Sequence, residues 1–90
     1  MDNKYNGWTN YATWRVNLEM FDGRNIEEYF ETSVKDLGVY NLACKLQEEV
    51  EDIIEETSEG LATCYAMSFL ADVNWCEIAR HLIDENSGAA

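Results

Sequence analysis

Hydrophobic residues recur along this chain at steps of three and four, the spacing that gathers side chains on one face of an α-helix. Tyr11, Trp14, Leu18 and Phe21 form the first series. Thr9 or Asn10 precedes it as an N-cap, where a side-chain oxygen can accept a hydrogen bond from an unpaired amide of the first turn. Asp22-Gly23 stops it, because glycine enters the left-handed conformation at little cost. A second series, Ile26, Tyr29, Phe30, Val34 and Leu37, follows Asn25 as cap and ends at Gly38. Glu27 and Glu28 sit in its first turn, where the helix dipole favours negative charge.

The third series predicts a helix from about Tyr40 to Thr57, with Leu42, Leu46, Val50, Ile53 and Ile54 on one side and Gly60 as the following breaker. Leu61, Cys64, Tyr65, Ser68 and Phe69 predict a fourth helix of three turns. In the last segment Asn74 and Glu77 have the spacing of a capping box. Trp75, Ile78, Ala79, Leu82 and Ile83 then make its apolar stripe, and Asn86-Ser87-Gly88 closes it. No segment alternates as a strand does, beyond a short extended stretch at Gly38-Val39-Tyr40. The expectation is an all-α fold: one compact bundle of four to five short helices over residues 1–90, with an irregular lead-in at 1–8 and a frayed tail at 87–90.

Ninety residues without proline fit a single small domain. The 47 % hydrophobic content is enough for one core. Cys44, Cys64 and Cys76 lie on apolar positions with no CxxC pair, which reads as reduced core thiols in a cytoplasmic protein. No apolar run approaches the roughly 20 residues of a membrane span, and no basic start leads into a signal sequence. The net charge of −12 argues against binding nucleic acid or an anionic membrane and points to a basic partner.

That charge is unevenly spread. Residues 1–45 carry five bases and seven acids, net −2, whereas residues 46–90 carry one base, Arg80, and eleven acids, net −10. Glu48, Glu49, Glu51, Asp52, Glu55, Glu56 and Glu59 run without an interposed base. On a helix Glu48, Asp52, Glu55 and Glu59 fall in one stripe about 16 Å long at 1.5 Å per residue, flanked by Glu49 and Glu56. The plain reading is a solvated face. Against it, like charges at i, i+4 destabilise a helix, and mixed signs would serve solubility equally well. A carboxylate stripe has the sign and rough density of a phosphate backbone, so these seven residues are the candidate partner-binding set.

Catalytic signals are weak. His81 shares a stripe with Glu77 and Glu85, but only once and without a second histidine, which fits ordinary i, i+4 contacts better than a metal site. Cys76 and His81 are roughly 140° apart on a helix and do not face each other. With no phosphate loop, serine elbow or calcium loop, the expectation is a non-enzymatic protein with no metal and no cofactor. Tyr5, Trp8, Tyr11 and Trp14 are a second feature. Tyr11 and Trp14 read as core that closes the bundle near Trp75, and Trp8, outside the periodic part, as a possible secondary contact.

Gly7-Trp8-Thr9-Asn10-Tyr11-Ala12-Thr13-Trp14-Arg15-Val16-Asn17-Leu18 resembles the G-W-x-N-Y-x-T-W-x-V-x-L opening of a group of small proteins from phages, plasmids and integrated mobile elements. Val73-Asn74-Trp75-Cys76-Glu77-Ile78-Ala79 resembles that group's V-N-W-x-E-I-A ending. The two blocks cover about a fifth of the chain. Ala12 stands where glutamate is common and Arg15 where asparagine is common. The resemblance implies an accessory protein acting in a bacterial host cytoplasm, a setting in which small acidic proteins inhibit host defence, anti-CRISPR and anti-restriction proteins among them. The resulting expectation is an inhibitor that occupies the basic nucleic-acid-binding surface of a host complex, a CRISPR effector first. The alternative is a small structural or regulatory module, monomer or homodimer, that binds through its aromatic face.

Overall fold

The computed structural model describes residues 5–22 and 34–87. Among them the chain is all-α. Helix α1, Tyr11–Val16, runs into a π-helical turn, Asn17–Phe21; α2 spans Val34–Thr57, α3 Leu61–Leu70 and α4 Trp75–Ser87. Most of the helix expected after Asn25 falls outside the described residues. So does the tail beyond Ser87, which itself belongs to α4. No described helix is long and apolar enough to cross a membrane.

The described part of the lead-in, residues 5–8, is a tight turn where the lack of periodicity predicts irregular chain. Tyr5 and Trp8 exchange two backbone hydrogen bonds of 2.8 Å each. Asn6 and Gly7 between them have φ of 49° and 88°, the signature of the Asn-Gly type I′ turn.

Helix α2 breaks where its sequence says it should. Gly38 has φ 81° and ψ 167°, a backbone region essentially closed to residues with a Cβ. A Cβ built there would meet nothing within 4 Å, so the obstacle is the backbone itself and not crowding. Gly38→Ala is expected to lower stability by about 1–3 kcal/mol, read by chemical denaturation; an unchanged midpoint would show that the kink relaxes freely.

After the kink, α2 lays Leu42, Leu46 and Val50 against the core, as its pattern predicts, together with Ala43, while Ile53 and Ile54 of the expected stripe are half-buried. It packs chiefly on α4, which contributes Trp75, Ile78, Ala79 and Leu82. Helix α3 touches α2 far less extensively.

Two faces differ from the pattern. In α1 the buried residues are Ala12, Thr13 and Val16, with Asn17 just beyond, while Tyr11 and Leu18 are exposed. Phe21 is nevertheless buried. The cause is the π turn, closed by Asp22 N–H donating to Asn17 C=O at 2.8 Å. An i→i+5 turn takes up about one residue more than an α turn. That extra residue rotates Phe21 away from the Tyr11 and Leu18 side and onto the core.

The second difference is α3. Leu61, Cys64, Tyr65, Ser68 and Phe69, expected to be its inner stripe, all lie outward. Leu70 is its one fully buried residue, backed by half-buried Thr63, Ala66 and Met67. The three thiols are correspondingly not uniform core: Cys44 and Cys76 are half-buried and Cys64 is exposed.

Candidate functional site

The two sequence blocks at 7–18 and 73–79 meet in space and bond to each other. Asn10 caps α1, its Oδ1 accepting from Thr13 N–H at 2.9 Å and from the Thr13 hydroxyl at 2.7 Å. Its Nδ2 donates to the Asp72 carbonyl at 2.7 Å. Asn74 caps α4 through Oδ1, which accepts Glu77 N–H at 3.0 Å.

A capping box would return the Glu77 carboxylate to the Asn74 amide. Here the return leg is exchanged across the fold. The Asn74 amide donates to Thr13 Oγ1 at 2.9 Å, and Glu77 Oε1 accepts from Thr9 N–H at 2.9 Å. The polar members of both blocks are therefore a clasp that joins the starts of α1 and α4.

The acidic run resolves into three parts. Glu48, Asp52, Glu55 and Glu56 are exposed on α2, on the side away from Leu42, Leu46 and Val50. They extend over about 12 Å at 1.5 Å per residue. Glu49 and Glu51 are half-buried, and Glu51 accepts a hydrogen bond from Gln47 Nε2 at 3.1 Å.

Glu59 is exposed but lies past the end of α2, so the continuous helical stripe expected through residue 59 stops short of it. The helix ends at Thr57 ahead of Gly60, which has φ 63°, and two hydroxyls bond back onto its last turn: Thr57 Oγ1 donates to the Ile53 carbonyl and Ser58 Oγ to the Ile54 carbonyl. The chain turns there, and Glu55, Glu56, Thr57, Ser58 and Glu59 line one hollow of about 400 Å³. No base occupies the last turn of α2. Carboxylates at this negative end of the helix dipole are destabilising, as are the pairs Glu48–Asp52 and Asp52–Glu56 at i, i+4.

The aromatic residues divide otherwise than expected. Trp8, read as the outlying contact, packs on the core and sets its ring against His81 with centroids 4.9 Å apart. Tyr11, read as core, is 43 % exposed. It joins a surface cluster with Tyr5 at 5.0 Å, Trp14 at 5.7 Å and Phe69 of α3 at 6.3 Å. Through Phe69 that cluster continues along α3 to Tyr65 and Leu61, which are 69 % and 67 % exposed. Arg15 lies beside it, paired with Glu19 and donating to Tyr11 Oη at 3.2 Å. The hydrogen bond and negative charge of Glu19 hold its guanidinium above the usual arginine value.

His81 behaves as its neighbours dictate, with Nε2 2.6 Å from Glu85 Oε1. Glu77, the third member of that stripe, is drawn instead to the Thr9 amide. Among the described residues no three histidine, cysteine, aspartate or glutamate side chains gather as a metal site.

A family model described as a family of unknown function, DUF7249, matches residues 1–87, and the chain belongs to that family. No curated protein and no solved structure matches it.

Proposed function

We propose that this family member is a non-enzymatic interaction protein whose acidic side occupies a basic, nucleic-acid-binding surface of a partner. In the setting that the sequence resemblance implies, that partner is a host-defence complex in a bacterial cytoplasm, a CRISPR effector first. The observation that carries the reading is the outward side of α2, where Glu48, Asp52, Glu55 and Glu56 stand exposed without an intervening base. These like charges cost helix stability by i, i+4 repulsion and by their place at the negative end of the dipole. A cationic partner reverses both terms. Association would be fast and sensitive to salt, as for other electrostatically steered pairs.

The test is the variant Glu48→Gln/Asp52→Asn/Glu55→Gln/Glu56→Gln, used beside the wild type to capture partners from a nuclease-treated bacterial lysate. Relief of repulsion should leave the melting temperature equal or higher, so lost binding would not reflect lost fold. A nucleic-acid-binding complex recovered by the wild type alone supports the proposal. Equal recovery at moderate salt sinks it.

A second reading, contact through the aromatic face with the carboxylates only solvated, is favoured by the outward Tyr11–Phe69–Tyr65 series. It predicts that Tyr65→Gln abolishes capture while the four-site variant does not.

A further inference from the structure

Helix α3 is unusual in this chain. From Gly60 to Ala71 there is no Asp, Glu, Lys, Arg or His, although the whole chain carries −12. Leu61, Tyr65 and Phe69 project outward at i, i+4 and i+8, a stripe about 12 Å long. Beside Phe69 opens a mostly apolar crevice of about 160 Å³ between α1, the π turn, α2 and α3, walled by Met20, Val50, Ile54, Ala66 and Leu70 with the Arg15–Glu19 ion pair also in its lining. A cavity of about 150 Å³ is enough to hold benzene, so one aliphatic or aromatic side chain fits.

Carboxylates bound this neutral stripe at both ends. Glu59 and the hollow it shares with Glu55 and Glu56 lie just before Leu61, and exposed Asp72 follows Leu70.

We infer that the outward face of α3 seats an amphipathic helix of the partner, its apolar stripe on Leu61, Tyr65 and Phe69 and its flanking Lys or Arg residues on Glu55, Glu56 and Glu59. The inference rests on the basic-partner reading above and names the element that docks. Helix-in-groove recognition supplies anchors at i, i+3/i+4 and i+7, the length that this stripe matches. A second copy of the chain fits poorly. Two α3 helices packed antiparallel would set Glu59 of each against Asp72 of the other, and packed parallel would set Glu59 against Glu59, so like charges meet either way. Exposed apolar faces with polar rims mark interaction sites, and here the rim selects for positive charge.

The probes are two 18-residue helical peptides with an identical leucine face, one completed by lysine and one by glutamate, titrated into the full-length isotope-labelled protein. The lysine peptide should bind and the glutamate peptide should not. The largest amide shifts should fall on residues 61–70 and Tyr11. Leu61→Gln/Tyr65→Gln should weaken binding at least tenfold without changing the circular dichroism spectrum. Tyr40→Gln, altering an equally exposed tyrosine on α2 (74 %), should leave it unchanged.

Binding by the double variant within twofold of wild type, or shifts confined to Glu48–Asp52, would overturn the docking face while leaving the basic-partner reading intact. Equal binding of the glutamate peptide would overturn its charge selection. A wild-type dimer seen by sedimentation and lost in the double variant would overturn the peptide occupant in favour of a second copy. Failure of the basic-partner reading itself is read separately, from the four-site α2 variant.

Discussion

Leu46→Ala should destabilise the protein by about 2–5 kcal/mol, the range for emptying a fully buried leucine site that cannot collapse completely. Leu46 has no exposed surface and belongs to the α2 stripe that packs on α4. In a domain of this size each kcal/mol moves the melting temperature by about 4–8 °C, so the transition should fall by about 8 °C or more. Leu61→Ala is the matched comparison: the same chemical change on a helix, at a side chain that is mostly exposed. It should stay within about 0.5 kcal/mol. Thermal melts of the two variants side by side check the assignment of inside and outside. Comparable losses would mean that α3 is held by its outer stripe, and the docking face would go with it.

That comparison also shows where the amino-acid pattern was sufficient. In α2 and α4 charged residues alternate with apolar ones, so each helix carries both a polar and an apolar side, and the phase can be read directly. Leu42, Leu46 and Val50 and then Ile78, Ala79 and Leu82 are buried as their spacing predicts. Helix α3 contains no charged residue, so its sequence has no polar side from which to take a phase. The spacing of Leu61, Tyr65 and Phe69 suits an inward face as well as that of Thr63, Ala66, Met67 and Leu70 does, and it is the second set that meets the neighbours. In α1 the phase was spoiled by geometry: nothing in Asn17-Leu18-Glu19-Met20-Phe21 announces a π turn, and that turn alone carries Phe21 inward. Asn17, the first residue of that turn, has a buried Oδ1 with no hydrogen-bond partner among the described residues.

The candidate site was legible in its local part only. An acidic run on one helix is visible in sequence, because charge and period are both local quantities. Its end is legible too, since the pattern closes the helix at Thr57 ahead of Gly60, and a stripe carried on to Glu59 overruns that end. The clasp is what the sequence does not show. Asn74 is readable as a cap and the first cap is readable as Thr9 or Asn10, since a cap bonds within three residues; the structure selects Asn10. The bonds that join the caps run between Thr9 and Glu77 and between Thr13 and Asn74, 68 and 61 positions apart. No spacing rule reaches that far.

Thr13→Val is the sharpest test of that clasp. Valine keeps the shape and the burial but lacks the hydroxyl, and Thr13 is fully buried. Its Oγ1 serves two partners, donating to Asn10 Oδ1 and accepting from the Asn74 amide. Removing it leaves the Asn74 N–H without its acceptor, and an orphaned donor costs about 1–3 kcal/mol. The melting temperature should fall by several degrees at least, and hydrogen exchange at the Asn74 amide should accelerate. Asn10→Ala should cost about 0.5–2 kcal/mol as a lost cap, with the bond to Asp72 lost besides. Because the two substitutions share the Thr13–Asn10 bond, the double variant should lose less than their sum, by a coupling of about 0.5–3 kcal/mol. Strict additivity, or a Thr13→Val loss below about 0.5 kcal/mol with Asn74 still protected, would mean that the two blocks do not hold each other.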